Sequence, residues 1–166
     1  LAIFDALTAF ILAILKHLPK SRVDFADIDP KVLRGIKISA RQNKITASRY
    51  RLIRSDILKN VRGAYDAVVA NPPYIATAKR NRVQTSVLKY EPRNALFGGR
   101  DGLRFIKALI KTAPRHLTPN GVLWMEFGPS EKRAIEKLFA TAHYRDVQFH
   151  KDQYGRWRYV AAKRPE

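Results

Sequence analysis

A short apolar run at residues 67–70 leads directly into Asn71-Pro72-Pro73-Tyr74, and this junction restricts the possible folds more than any other stretch of the sequence. The run is centred on two valines and lies between Asp66 and two prolines, which is typical of a buried parallel strand that ends abruptly. Each proline biases the residue before it away from helical backbone angles, so the tetrapeptide is predicted to be stiff and extended. Open α/β sheets bind their ligands at such turns, beyond the carboxyl ends of parallel strands.

The tetrapeptide has two interpretations. Asn, Pro and Tyr are common loop residues, so it could serve only as a turn. Alternatively, the Asn71 side-chain oxygen and the Pro72 carbonyl accept hydrogen bonds from a planar NH2 group, and Tyr74 covers the face of that group. Two acceptors would orient the group and return electron density to its weakly nucleophilic nitrogen. The choice between these two interpretations of the tetrapeptide depends on the rest of the chain.

The rest of the chain alternates predicted strands and helices. Helices are predicted at residues 9–18, after the capping pair Asp29-Pro30, after a capping Asp101, and from Pro129 to about residue 142. Strands are predicted at residues 1–4, 22–26, 50–53, 66–70 and 122–127, the last after a turn at 118–121, with a closing hairpin at 144–149 and 156–161. This order predicts an α/β fold: a doubly wound, mostly parallel sheet of seven strands with a carboxyl-terminal antiparallel hairpin.

Composition favours one globular domain over residues 1–166, with 46% hydrophobic and 28% charged residues. The chain has no cysteine, and its four histidines lack the spacing of metal ligands, so no metal site is predicted. The apolar opening is interrupted by Asp5 and ends at Lys16, too short for a membrane span. We therefore expect a cytoplasmic protein without a membrane partner.

The net charge of +18 favours a nucleic-acid or ribosomal neighbourhood, and contact with RNA through this basic surface is one expectation. A proteome biased towards Lys and Arg would give the same charge without such a partner.

Two carboxylates follow predicted strands at the edge where a doubly wound sheet binds ligands. Asp27 ends the second predicted strand, where a carboxylate can accept both hydroxyls of a ribose. Asp56 follows the third, where its side chain or backbone could meet an adenine ring. Each carboxylate could instead only cap a helix or a turn.

Four pieces of sequence together resemble the HemK/PrmC protein-glutamine methyltransferases, which modify peptide chain release factors with S-adenosylmethionine. The resemblance extends over about residues 19–163. The pieces are Asn71-Pro72-Pro73-Tyr74-Ile75, the block Tyr90-Glu91-Pro92-Arg93-Asn94-Ala95-Leu96-Phe97-Gly98-Gly99-Arg100-Asp101-Gly102-Leu103, Met125-Glu126-Phe127-Gly128, and the spaced Asp152, Gly155 and Arg158. The tetrapeptide also occurs in methyltransferases that act on the amino group of adenine, whereas the second block is more specific.

The resemblance implies roles for named residues. Asn71, Pro72 and Tyr74 would be catalytic and would hold the side-chain amide of a glutamine in the Gly-Gly-Gln region of a release factor. Substrate contacts would extend to Pro73, Glu91 and Pro92. S-adenosylmethionine would be bound by Asp27, Asp56, Ile57 and Asn71.

The sequence departs from that family near its beginning. The family's first strand runs into a glycine-rich cofactor loop, but here residues 5–11 read Asp-Ala-Leu-Thr-Ala-Phe-Ile, and the first glycine is Gly35. Leu7, Phe10 or Ile11 would fill the methionine end of the cofactor site or force the turn elsewhere. The family's helical amino-terminal recognition domain is also missing from this sequence. Three explanations of this departure are open: a truncated gene product, a paralogue that no longer binds cofactor, and weak cofactor binding through a reshaped loop. We expect a fragment.

Two alternatives to the glutamine enzyme stay open: a methyltransferase acting on adenine in DNA or RNA, and a basic RNA- or ribosome-binding domain that keeps the fold without the cofactor.

Overall fold

The computed structural model describes residues 6–78 and 96–166 of the chain. Its contacts divide the chain into two compact units, Leu1–Arg62 and Gly63–Glu166, and each unit has its own sheet. The single domain over residues 1–166 stays a prediction. Within the described ranges, no helix has both the length and the apolar character needed to cross a bilayer.

The first unit packs helices against two parallel strands. Its elements are α1 (Ala6–His17), β1 (Val23–Asp27), α2 (Pro30–Gln42), a 3-10 turn (Ala47–Arg49) and β2 (Tyr50–Arg54). The two strands pair in register from Val23 with Tyr50 to Asp27 with Arg54. Side chains from α1, β1 and α2, with one more from the loop after α2, form one apolar core, made by Leu12, Leu15, Phe25, Leu33, Ile36, Ala40 and Ile45.

The start of α2 is determined by two neighbouring residues, Asp29 and Pro30. Asp29 is the N-cap residue, its side chain accepts a hydrogen bond of 2.7 Å from the Lys31 amide, and Pro30 opens the helix. A short polar acceptor followed by a proline satisfies an amide that the helix leaves open and fixes the backbone angle of the first turn. The predicted cap is confirmed.

The second unit contains four strands. Its elements are β3 (Tyr65–Ala70), α3 (Arg104–Thr112), a 3-10 turn (Ala113–His116), β4 (Leu117–Glu126), a 3-10 turn (Pro129–Glu131), α4 (Lys132–Thr141), β5 (Arg145–Lys151) and β6 (Trp157–Lys163). The sheet order is β3-β4-β6-β5; β3 and β4 are parallel, while β6 is antiparallel to both β4 and β5. The predicted closing hairpin is therefore present, with β6 inserted between its partner β5 and β4.

The described residues form six strands in two sheets, not seven strands in one sheet. The predicted first strand, residues 1–4, lies outside the described residues.

Two local predictions in the second unit are wrong. Residues 118–121 are part of β4, where the register shifts between the pairs Tyr65–Leu117 and Ala67–Val122; Gly121 comes so close to β3 that an added Cβ would lie 2.8 Å from the Tyr65 carbonyl oxygen. Asp101 is not the cap of α3, because Leu103 occupies that position and no side chain caps the helix. Asp101 instead accepts a 3.0 Å hydrogen bond from the Leu103 amide and pairs with Lys107 at 2.7 Å.

Candidate active site

The tetrapeptide leaves the sheet at the carboxyl end of β3. Because β3 and β4 are parallel and Ala70 pairs with Met125, Phe127 and Gly128 leave the sheet at the same edge. Pro72 is buried, while Asn71, Pro73 and Tyr74 are half-buried. The predicted abrupt strand end is confirmed, and the four residues lie at a sheet edge of the kind that binds ligands.

The segment after the tetrapeptide is joined to the glycine-rich block that begins near residue 96. The Ile75 amide donates to the Leu96 carbonyl at 3.1 Å, the Gly98 amide donates to the Ile75 carbonyl at 3.0 Å, and Ile75 forms a parallel bridge with Phe97. The Thr77 amide continues the ladder by donating to the Gly99 carbonyl at 2.9 Å. Two pieces of sequence that predicted one site are thus one hydrogen-bonded structure.

Glycine is required in this block because backbone atoms lie directly against it. A Cβ on Gly98 would collide with the carbonyl oxygen of Pro73, and a Cβ on Gly102 would collide with that of Tyr74. Gly102 also has a φ of +79°, a left-handed conformation that residues with side chains rarely adopt. The glycines therefore allow the loop to press on the backbone of the tetrapeptide.

Tyr74 is held at both ends of its side chain. Its ring packs against Gly128, where an added Cβ would be 3.1 Å and 3.2 Å from two ring carbons. Its hydroxyl donates to Glu126 Oε1 at 3.4 Å and accepts from Arg158 Nη1 at 3.3 Å. Burial, followed by the negative charge of Glu126, raises the pKa of Tyr74, while Arg158 opposes that shift. The phenol is therefore neutral and able to donate near pH 7.

Glu126 and Arg158 were not predicted as site residues, although both lie in pieces that carry the family resemblance. They lie 52 and 84 residues from Tyr74 in the chain. Only the pairing of β4 with β3 on one side and β6 on the other brings them to Tyr74, and a pattern of short-range spacing carries no such signal.

The first unit contains three of the four residues predicted to bind cofactor: Asp27, Asp56 and Ile57. The Asp27 carbonyl accepts from the Ser55 amide at 3.0 Å, which puts the end of β1 beside the turn containing Asp56. The half-buried Asp27 side chain accepts from the Asp29 amide at 2.7 Å through Oδ1, and this bond orients its carboxylate. Asp27 and the turn thus share one edge of the β1-β2 sheet, as predicted.

Ile57 in this turn has a φ of +52°. A β-branched side chain in the left-handed region is an outlier that costs on the order of 1–3 kcal/mol and persists only where the surroundings impose it. Ser55, buried at 3% exposure, accepts from the Asn60 amide at 3.0 Å through its hydroxyl, and the Asn60 side chain donates to the Arg54 carbonyl at 2.8 Å. The turn beside Asp27 is therefore fixed in a strained shape, which is common at binding sites.

Residues 7–11, for which the resemblance implies a glycine-rich loop, belong to the first turns of α1. Phe10 projects to the surface with 58% exposure, whereas Leu12 is buried in the core of the unit. This segment is thus a helix without glycine, and it differs from the glycine-rich loop that the resemblance implies. Glu91 and Pro92 lie outside the described residues.

No group of three or more His, Cys, Asp or Glu side chains suited to a metal ion is found among residues 6–78 and 96–166. A depression of about 440 Å³ on the first unit is lined by Arg51, Leu52, Ile53, Asn60 and Arg62. It adjoins the strained turn but does not coincide with Asp27.

Comparison with known proteins decides the family. The family model described as "Methyltransferase small domain" matches residues 9–100, more than half of the chain. The chain belongs to the methyltransferase small domain family.

Several curated relatives of the chain are named "Release factor glutamine methyltransferase", and others are named "Bifunctional methyltransferase". A "Release factor glutamine methyltransferase" from Moorella thermoacetica is 39% identical over 160 residues, which cover 95% of this chain and 56% of the relative. A relative of the same name from Lactococcus lactis is 32% identical over 131 residues, covering 78% of this chain and 48% of the relative. The chain thus spans about half the length of these relatives, and the predicted resemblance to the release factor enzymes is confirmed.

Solved structures agree on the fold. A methyltransferase from Pyrococcus furiosus superposes with a TM-score of 0.69 at 20% identity, over 95% of this chain and 70% of that one. An N-methyltransferase from Bradyrhizobium japonicum, solved in complex with S-adenosyl-L-homocysteine, gives a TM-score of 0.57 at 15% identity, over 97% and 74% of the two chains. These likenesses confirm the Rossmann-like α/β methyltransferase fold predicted from the sequence.

Proposed function

We propose that the protein transfers a methyl group from S-adenosylmethionine to the side-chain amide nitrogen of a glutamine in a peptide chain release factor. The observation that carries this proposal is the fixed tetrapeptide Asn71-Pro72-Pro73-Tyr74 at the carboxyl edge of β3. Gly98 and Gly102 pack closely against its backbone, and Tyr74 is held at both its ring and its hydroxyl. The names of the curated relatives support glutamine as the acceptor.

In this proposal, the chain contributes alignment and polarisation. The Asn71 side-chain oxygen and the Pro72 carbonyl accept the two hydrogens of the glutamine NH2 group, and the ring of Tyr74 covers its face. Two fixed acceptors favour the build-up of positive charge on the attacking nitrogen and hold the NH2 group in one orientation. Pro73, Glu91 and Pro92 would line the approach of the Gly-Gly-Gln segment, and release factors as substrates imply a cytoplasmic protein.

The first unit would hold the cofactor, which supplies the methyl group when bound. Asp27 would accept from the ribose hydroxyls, and Asp56 and the strained Ile57 would lie against the adenine. The resemblance assigns a further cofactor contact to Asn71. The shared edge of Asp27 and the turn fits a nucleoside, because the carboxylate is already oriented by the Asp29 amide. Residues 7–11 are helical, which differs from the glycine-rich cofactor loop that the resemblance implies.

A methylation assay with the full chain tests the function. We expect transfer of labelled methyl to a peptide containing Gly-Gly-Gln and none to the matched Gly-Gly-Glu peptide, because only the amide carries an NH2 group. Labelling of DNA or RNA but not of the peptide would show the adenine reaction instead. Absence of S-adenosylmethionine binding by calorimetry at millimolar concentration would reject the enzyme for this chain. RNA binding that weakens steeply with salt would then support a basic binding domain.

Asp27→Asn is predicted to weaken S-adenosylmethionine binding by about 1.5–3 kcal/mol, the range for a hydrogen bond to a charged group. Asparagine keeps the Oδ1 acceptor for the Asp29 amide but loses the charge that favours the ribose hydroxyls. Calorimetry measures the change. Asp29→Asn is the matched control, since asparagine caps a helix as well as aspartate does and cofactor affinity should not move. Equal losses in the two variants would contradict the role of Asp27.

A further inference from the structure

We propose that Arg158 is a positioning residue, which holds the Tyr74 hydroxyl from an anchor in the β5-β6 turn and so fixes the face of the acceptor site. The substrate in this inference rests on the proposed function, but every contact that carries it lies within the unit Gly63–Glu166. Arg158 is not a catalytic residue in this scheme, because it acts on the acceptor through Tyr74.

The anchor is Asp152, which organises the turn between the two strands. Its Oδ1 accepts from the Arg156 amide at 2.9 Å and from the Tyr154 amide at 3.0 Å, and its own amide donates to the Arg156 carbonyl at 2.8 Å. The hydrogen bond from the Arg156 amide, supported by Tyr154 and the charge of Arg158, lowers the pKa of Asp152. Asp152 therefore presents a fixed carboxylate to its neighbours.

Arg158 connects this anchor to the acceptor site. Its Nη2 lies 3.5 Å from Asp152 Oδ2, while its Nη1 lies 3.3 Å from the Tyr74 hydroxyl oxygen and 3.8 Å from Glu126 Oε1. A planar guanidinium can make both sets of contacts at once, whereas an ammonium has a single charged centre. The Arg158 carbonyl accepts from the Phe127 amide at 3.0 Å, so the backbone is also tied to the end of β4.

Tyr74 needs such a support because the packing around its ring does not fix its hydroxyl. Contact with Gly128 limits how far the ring can approach the sheet, but it supplies no hydrogen bond to the hydroxyl. Glu126 and Arg158 provide an acceptor and a donor for that hydroxyl. If the Tyr74 ring can rotate away from the acceptor site, the bound amide loses its alignment. A misplacement of 1 Å can lower a rate by about 100-fold.

The first test does not require activity. Absorbance at 295 nm follows tyrosine ionisation, and subtracting the matching Tyr74→Phe protein isolates Tyr74. Because Arg158 lowers the pKa of Tyr74 and Glu126 raises it, Arg158→Met should move the titration to higher pH and Glu126→Gln to lower pH. Arg156→Met is the matched control on the same turn, where the side chain is exposed and no shift is expected. Equal titrations for Arg158→Met and Arg156→Met would overturn the proposal.

The second test asks whether the contact serves the acceptor. Arg158→Met should lower kcat for the Gly-Gly-Gln peptide by about 10-fold to 100-fold while leaving S-adenosylmethionine affinity unchanged. Its effect should not add to that of Tyr74→Phe, because both variants remove the same contact. Simple addition of the two effects would overturn the proposal. If the wild-type chain labels no peptide, the proposed function fails, and the opposite titration shifts still decide whether Arg158 holds Tyr74.

Discussion

Asn71→Ala should reduce methyl transfer to the glutamine peptide by about 10²–10³-fold, the loss seen when one fixed polar group is removed from a site of developing charge. Alanine removes the acceptor oxygen that orients the NH2 group, and the Pro72 carbonyl alone leaves that group free to rotate. The change lies at the end of β3 in the second unit, whereas Asp27 and the strained turn lie in the first. Cofactor affinity should change far less than the rate, because the ribose and adenine contacts are assigned to Asp27, Asp56 and Ile57.

Single-turnover rates and calorimetry on the same preparations measure the two effects. Asn120→Ala is the matched control, because Asn120 is exposed in the irregular part of β4. Asn71→Asp keeps one acceptor oxygen and should retain more activity than Asn71→Ala. Loss of cofactor affinity together with rate, or equal rates for Asn71→Ala and wild type, would contradict the acceptor role of Asn71.

The parts of the site that could be predicted from sequence depend on local backbone chemistry. Prolines at positions 72 and 73 end a strand because neither can donate a backbone hydrogen bond. Asp29 before Pro30 starts a helix for an equally local reason. Both signals act within a few residues, so the junctions that carry Asn71 and Asp27 were found at their correct places.

The parts that could not be predicted depend on contacts that form only in the folded chain, and two of the three depend on which strands pair. Gly121 sits in a Pro-Asn-Gly sequence that indicates a turn, yet close approach to the Tyr65 carbonyl makes it part of β4. Asp101 has the residue type of a cap, but Lys107 and the Leu103 amide bind it two residues before the cap position. Arg158 reaches Tyr74 only because β6 lies next to β4. At Gly121 and Arg158 the deciding contact comes from a distant part of the chain, whereas at Asp101 two nearby partners bind the carboxylate before the cap position.

The glycine block has a consequence for stability as well as for catalysis. Gly102 and Gly155 have nearly the same positive φ, +79° and +76°, so alanine suffers similar backbone strain at both, about 1–2 kcal/mol. Only at Gly102 would the new Cβ also collide with the Tyr74 carbonyl, while at Gly155 no atom lies within 4 Å. Forcing a methyl group into a packed site typically costs a further 1–3 kcal/mol, roughly.

Gly102→Ala should therefore lower the free energy of unfolding by about 2–5 kcal/mol, and Gly155→Ala by only about 1–2 kcal/mol. Urea unfolding followed by tryptophan fluorescence measures both, since Trp124 and Trp157 lie in the same unit as the two glycines. Relief of the collision must move Tyr74 away from the loop, so the fraction of Gly102→Ala that stays folded should also transfer methyl groups more slowly. Equal costs for the two alanines would mean that the loop yields without disturbing the tetrapeptide, and the glycine block would then serve as a helix-entry turn alone.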